Sequence, residues 1–252
     1  MYNRRKRKPN INKFLEGVLM VGLIEGFLGK QADCKKSRVP AVFDRWQSIT
    51  GFILACFILC HMVFTSTILL GKDAFNAVVE FAEASFLIKG GLPIVTNLIA
   101  AVIFVVFIAH AFLAMRKFPA NFRQLIMFKG HKDRMKHWDT TLWWFQFLTG
   151  FALFFTASAH LVDIVFNPHK ITAEHSAANF HTLEFFYFAL LVFMVVHAGV
   201  GMYRLYVKWI SIEGANKQEM FAKRNRVKTI IFAIFGVLAL IALIADFVWV
   251  SL

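Results

Sequence analysis

The sequence predicts an all-α integral membrane bundle of five transmembrane helices, and three observations carry that prediction. Of the 252 residues, 58% are hydrophobic and only 17% charged, with 30 phenylalanines against four tyrosines. Soluble domains hold about 45–50% apolar and about 25% charged residues. Mean hydropathy is +0.60, and five apolar stretches each reach the roughly 20 residues that a helix needs to cross a bilayer. Runs of alternating apolar and polar residues are absent, which leaves helices as the only spanning structure.

Residues 1–45 are expected to form an N-terminal segment on the inner surface, ahead of a transmembrane domain over 46–252. "FLEGVLMVGLIEGFLG" at 14–29 follows a basic run like a signal-peptide core, but Glu16 and Glu25 interrupt it and no small-residue cleavage site follows. It reads as an amphipathic helix lying on the membrane. The first span, 47–70, is bounded by Arg45 and Lys72; the second, 93–115, follows "GGLP" and stops at Arg116 and Lys117. The third, 141–166, lies behind "DTTLWW", with Asp139 placed as an N-cap and two tryptophans at the interface. The fourth, 182–206, ends near Arg204, and the fifth, 228–250, follows "KRNRVK". Cys34, Cys56 and Cys60 lack metal-ligand spacing. Cys34 is expected inside, where thiols stay reduced; Cys56 and Cys60, four apart on one helix, are expected to pack.

Charge orients the bundle. Residues 1–46 carry 11 Lys or Arg, loop 116–138 carries seven and segment 204–228 seven more, whereas the alternate loops hold only Lys72, Lys89 and Lys170. Basic loops stay cytoplasmic, so an inner membrane location with the N-terminus cytoplasmic and the C-terminus periplasmic is expected. Topology therefore accounts for the net charge of +13. "RRKRK" at 4–8 has no accompanying nucleic-acid module, and no nucleic-acid partner is expected.

Nine histidines divide by depth. His131, His137, His169, His175 and His181 lie in loops or at helix ends. His61, His110, His160 and His197 lie inside apolar runs, one on each of the first four spans. Ionisable groups inside a membrane are rare and mark function. At about 1.5 Å per residue, His110 and His197 sit roughly 9–10 Å from the inner ends of their helices. His61 and His160 sit towards the outer ends. Two such levels suit two bis-histidine haems. Zinc would need four ligands at one level, with acidic or thiol partners that are missing there. "TGFILACFILCH" and "TGFALFFTASAH" each set a glycine ten residues before the histidine: Gly51 before His61, Gly150 before His160. Ten residues is about 15 Å, which brings both glycines to the level of His110 and His197, where a flat macrocycle needs close helix approach. Ala100 and Ala101 serve similarly before His110; Tyr187 breaks the pattern on the fourth helix.

The stretches "RWQSITG", "HMVFTSTILLG", "IAHAFLAMRKFP", "HKDRMKHWDTTLWW" and "GMYRLYVKW" cover most of residues 38–210. They resemble the dihaem cytochrome b anchor of quinol:fumarate reductases and succinate:quinone oxidoreductases, of the single-anchor, menaquinone-linked type. The resemblance implies two haem b groups: a proximal one held by His110 and His197 and a distal one held by His61 and His160. It implies propionate contacts from Gln47, Ser48, His137, Trp143 and Lys208. It implies that Glu83, in "FAEASFLIKGG", accepts quinol protons near the outer haem, with Glu80 three residues away. It implies partners too: a flavoprotein subunit with FAD and an iron–sulfur subunit, alongside membrane lipid and menaquinone. The chain itself has no dinucleotide fingerprint and no cluster-binding cysteines, so the dicarboxylate chemistry belongs to those partners. Running the same parts backwards gives a succinate:menaquinone reductase. Rival readings are a dihaem cytochrome b of a hydrogenase or formate dehydrogenase and, from another class, a haem-free transporter or proton channel.

One departure from the resemblance has a measurable outcome. Menaquinol-oxidising members can carry a proton-relaying glutamate two residues before the inner histidine of the fourth helix; here that position is Val195. Asp163 and Glu184 are the other acids near that helix and the outer haem. Each uncompensated charge crossing the membrane is worth about 2.3 kcal/mol per 100 mV. Quinol oxidation is then expected to be either electrogenic or compensated by another residue; in sealed proteoliposomes, turnover that builds no membrane potential would overturn the electrogenic alternative.

Overall fold

The computed structural model describes residues 39–166 and 171–251. All regular structure among them is helical. Five helices are long and apolar enough to cross a membrane: α1 (Val39–Ser66), continued by a 3₁₀ turn (Thr67–Leu70), α3 (Pro93–Met115), α5 (Trp138–Phe166), α7 (Glu184–Trp209) and α8 (Lys217–Ser251). Three shorter helices join them: α2 (Lys72–Ala82), α4 (Phe122–Met135) and α6 (Ala173–Thr182). The N-terminal amphipathic segment at 14–29, Cys34 and His169 fall outside the described residues.

Local chemistry sets several helix ends. Pro93 opens α3, at a first-turn position where the missing N–H costs nothing. Asn121 caps α4 by accepting from the Gln124 amide at 3.0 Å, and Lys136 closes it in the left-handed conformation at φ 47°. Thr172 caps α6 through the His175 amide. All five spans were expected, but four of them run further towards the basic loops: α1 starts at Val39, α5 at Trp138 and α8 at Lys217, and α7 ends at Trp209. Charged residues such as Asp44, Asp139, Lys208 and Lys223 fall in these extra turns, and hydropathy alone leaves them out.

Four of the spans form a ring. α1 packs on α3, α3 on α5, α5 on α7, and α7 returns to α1; α8 lies outside the ring against α7 and α1. So α1 faces α5, and α3 faces α7, across diagonals. The outward side chains are large and apolar, Phe52, Phe151, Phe155 and Phe247 among them, as suits a surface solvated by hydrocarbon. Cys56 and Cys60 are free and exposed on α1, not packed as expected.

The two ends differ. At the end away from the basic loops, α2 and α6 close over the bundle. Ile68, Phe75, Val79, Ala173, Ala177, Ala245 and Trp249 form an apolar cluster there, and Asn76 Oδ1 accepts from the Ala173 amide at 2.9 Å. At the basic end, two aspartates tie helices together. Asp44 on α1 meets Arg116 at 3.1 Å, Lys117 at 2.9 Å and Lys208 at 3.7 Å. Asp139 accepts from Tyr203 at 3.0 Å and pairs with Arg224 and Lys228 at 2.6 Å each. Asp139 therefore sits in the first turn of α5 as the clasp of α5, α7 and α8, not as the N-cap the sequence suggested. Its partners come from two distant spans, and no local pattern announces them.

Candidate functional site

A cavity of about 900 Å³ runs through the ring, lined by His61, His110, His160 and His197. Each diagonal carries one pair. The His61 and His160 ring centroids stand 6.1 Å apart across α1 and α5, and those of His110 and His197 stand 6.4 Å apart across α3 and α7. Among the described residues, no group of three or more His, Cys, Asp or Glu side chains could hold a bare metal ion. The geometry is that of two paired imidazoles at two levels.

The seats of the inner-level rings are built by the repeated motif. A Cβ added at Gly51 would lie 2.9 Å from His110 Cε1, and one at Gly150 would lie 2.8 Å from His197 Cε1. So each glycine makes room for the imidazole of the neighbouring helix; the sequence had suggested room for a macrocycle. The motif is also longer than the sequence reading recognised. Gln47–Thr50–Gly51 on α1 recurs as Gln146–Thr149–Gly150 on α5. The Gln146 carbonyl accepts from His197 Nδ1 at 3.0 Å, and the Gln47 carbonyl is within reach of His110.

An iron porphyrin fits these residues. Metal–nitrogen bonds of about 2 Å on opposite faces of one iron, plus the radius of each ring, put two imidazole centroids about 6 Å apart. Both pairs meet that separation. At the basic end of the cavity, Lys208 Nζ donates to Ser48 Oγ at 2.9 Å and to the Asp44 carbonyl at 3.0 Å. Gln47 Oε1 is buried with no hydrogen-bond partner. Lys208, with a third N–H, has donor capacity for a carboxylate entering from the cavity, whereas Gln47 Oε1, like a carboxylate, only accepts. Trp143 lines the same region, stacked on Phe147 at 6.2 Å. His137 does not join them: its side chain is exposed and does not line the cavity, while its carbonyl accepts from Thr140 and Thr141.

Comparison with known proteins agrees with this architecture. Residues 126–245 match the family described as succinate dehydrogenase/fumarate reductase transmembrane subunit. The fumarate reductase cytochrome b subunit of Wolinella succinogenes is 45% identical over 221 residues, covering 87% of this chain and 86% of that protein. The Helicobacter pylori (strain 26695) protein of the same name is 44% identical over 202 residues, 77% of this chain and 79% of its own. This chain belongs to the fumarate reductase cytochrome b family. It is a membrane subunit, and five of its helices are long and apolar enough to cross a membrane.

At the far end of this membrane subunit, Glu83 follows α2 and is only 8% exposed. A Cβ at Gly91, where φ is +71°, would come within 2.9 Å of Glu83 Cβ, so glycine there permits the burial. Burial, with Glu80 alongside, pushes the Glu83 carboxyl above the usual carboxylate range. The neighbouring Ala82 lines the cavity, but Glu83 does not. Asp163 does line it, whereas Glu184 is exposed. The sequence reading missed Asp246, which lines the cavity from α8. It is the only charged residue between 229 and 251, and that isolation in an apolar run was the available signal.

The glycine seats are testable. Gly51→Ala and Gly150→Ala each force a methyl against an imidazole, at a cost of about 1–3 kcal/mol. Each variant is expected to lose haem from one level while keeping its helix content. Full haem occupancy in both variants, measured by pyridine haemochrome, would contradict the seating role.

Proposed function

We propose that this chain anchors a fumarate reductase in the inner membrane, oxidises menaquinol near its outer end and passes electrons inward through two b haems. The observation that carries this reading is the pair of diagonal imidazole contacts at two levels of one cavity. His110 with His197, and His61 with His160, would hold the irons; Ser48, Lys208, Gln47 and Trp143 would meet propionates at the basic end. The haems supply one-electron carriage between quinol and the partner subunit. An iron–sulfur subunit would receive the electrons at the basic face, and a flavoprotein beyond it would reduce fumarate. The basic face is the cytoplasmic one under the positive-inside rule.

The residues divide the remaining work. The ring of helices holds the imidazoles apart by a fixed distance and keeps water from the centre. Quinol oxidation also releases two protons, and these need acceptors at the outer end. Glu83 accepts one: a buried carboxyl with a raised pKa matches a donor that gives up its proton reluctantly. Family membership supports the reading against a hydrogenase or formate dehydrogenase cytochrome and against a haem-free channel.

The direct test is a reduced-minus-oxidised spectrum of the purified complex together with its haem-to-chain ratio. Two b haems per chain are expected, and replacing any one of the four histidines with alanine should remove one. A colourless preparation would end the cytochrome reading. For Glu83, the base must be ionised to act, and its raised pKa moves the acid limb of the rate profile to higher pH. Glu83→Gln is expected to abolish menaquinol oxidation while both haems still reduce with dithionite; an unchanged rate would remove Glu83 from the mechanism.

A further inference from the structure

The two levels differ at the imidazole nitrogen on the side away from the iron position. His197 Nδ1 lies 3.0 Å from the Gln146 carbonyl, and His110 Nδ1 lies 3.1 Å from Thr50 Oγ1. His160 Nδ1 is buried with no hydrogen-bond partner. A carbonyl only accepts, so His197 carries its hydrogen on Nδ1. Thr50 requires a count. A hydroxyl has one hydrogen and two lone pairs. That hydrogen goes to the Trp46 carbonyl at 2.8 Å, with the Gln47 carbonyl as an alternative at 3.2 Å. Only lone pairs remain for His110, so His110 donates and Nδ1 is its protonated nitrogen.

We propose that Thr50 is a positioning residue for the inner-level haem. It fixes the Nδ1–H tautomer of His110 and leaves the Nε2 lone pair for iron, and it strengthens that nitrogen as an electron donor. The inference rests on the haem reading above. Three features support it. Thr50 and Gly51 are adjacent, so one turn of α1 both seats the ring and takes its hydrogen bond. The Gln47 carbonyl lies within reach of the same ring, so Thr50→Val is expected to leave the histidine in place. The matching Thr149 on α5 instead turns its hydroxyl to the Phe145 carbonyl at 2.7 Å and the Gln146 carbonyl at 3.3 Å; His197 takes the Gln146 carbonyl directly. Identical sequence motifs thus give His110 a hydroxyl acceptor and His197 a backbone one. An outer hydrogen-bond acceptor raises the basicity of a ligating imidazole and stabilises the oxidised metal.

The experiment is an optical redox titration of the purified complex carrying Thr50→Val, Thr50→Ser or Thr149→Val, with low-temperature electron paramagnetic resonance of the ferric haems. Thr50→Val is expected to retain both haems and move one titration wave to higher potential. At that wave's wild-type midpoint, the oxidised-to-reduced ratio should fall by a factor of about 3 to 10, the worth of one hydrogen bond. The g-values of one low-spin species should shift with it. Thr50→Ser should restore both signals, and Thr149→Val should leave both waves in place. If Thr50→Val does not assemble, Thr50→Ala removes the same oxygen and reads the same signals. Two unmoved waves at full haem content would overturn the role of Thr50, as would a serine variant that shifts as far as valine. Absence of haem from the wild-type complex would instead overturn the haem reading.

Discussion

An imidazole placed in hydrocarbon must find partners for both of its ring nitrogens, and the rest of this bundle is arranged around that need. Leaving even one polar group unpaired there costs a few kcal/mol, and four histidines multiply the demand. The bundle meets it with crossed diagonals. Each pair points its rings at one another from opposite helices, so a single iron can take a nitrogen from both. At the level nearer the basic loops, backbone and hydroxyl oxygens of the neighbouring helix take the remaining N–H groups. At the other level His160 lacks such an acceptor, and its environment is aromatic instead, with Tyr187 edge-on at 6.0 Å.

The charged end makes the diagonals rigid. Four helices around a cavity have little core of their own: among the described residues, buried hydrophobic side chains are few and gather at the far end and around Tyr203. Asp44 and Asp139 supply what packing does not. Asp44 draws Arg116 and Lys117 from the end of α3 and Lys208 from α7, and Asp139 draws Arg224 and Lys228 from α8 and the Tyr203 hydroxyl from α7; most of these contacts are hydrogen-bonded ion pairs, the stronger kind. Lys208 belongs to one of these clusters and also lines the basic end of the cavity. The same lysine therefore links helix placement to ligand placement.

Much of this was legible in the sequence, and what was not has physical reasons. The spans were plain because hydrocarbon demands some 20 apolar residues in a row, and the four histidines stood out because they lie inside those apolar runs. Asp139 was misread, since its partners lie 64 to 89 residues away and a first-turn aspartate resembles a cap in any sequence. The glycines were located by depth, but spacing along one helix does not say which side chains of a neighbour lie against them; the rings of His110 and His197 do. His137 was grouped with the basic-end residues through the family resemblance, and its side chain is exposed and lies off the cavity. Asp246 was passed over because it falls near the end of its helix, where an acid looks interfacial.

The repeated glutamine–threonine–glycine turn divides the molecule into two halves. His110 rests on the helix before it, and so does His197; each seat is therefore made entirely within its own half, α1 with α3 or α5 with α7. The facing partner always comes from the opposite half. A nascent chain could finish both cradles as it emerges, yet neither could grip a porphyrin until the two hairpins close on each other. Closure of the two hairpins on each other is therefore the step that completes either pair of imidazoles, and a chain ending after α3 would hold one shaped half-socket without its facing ring.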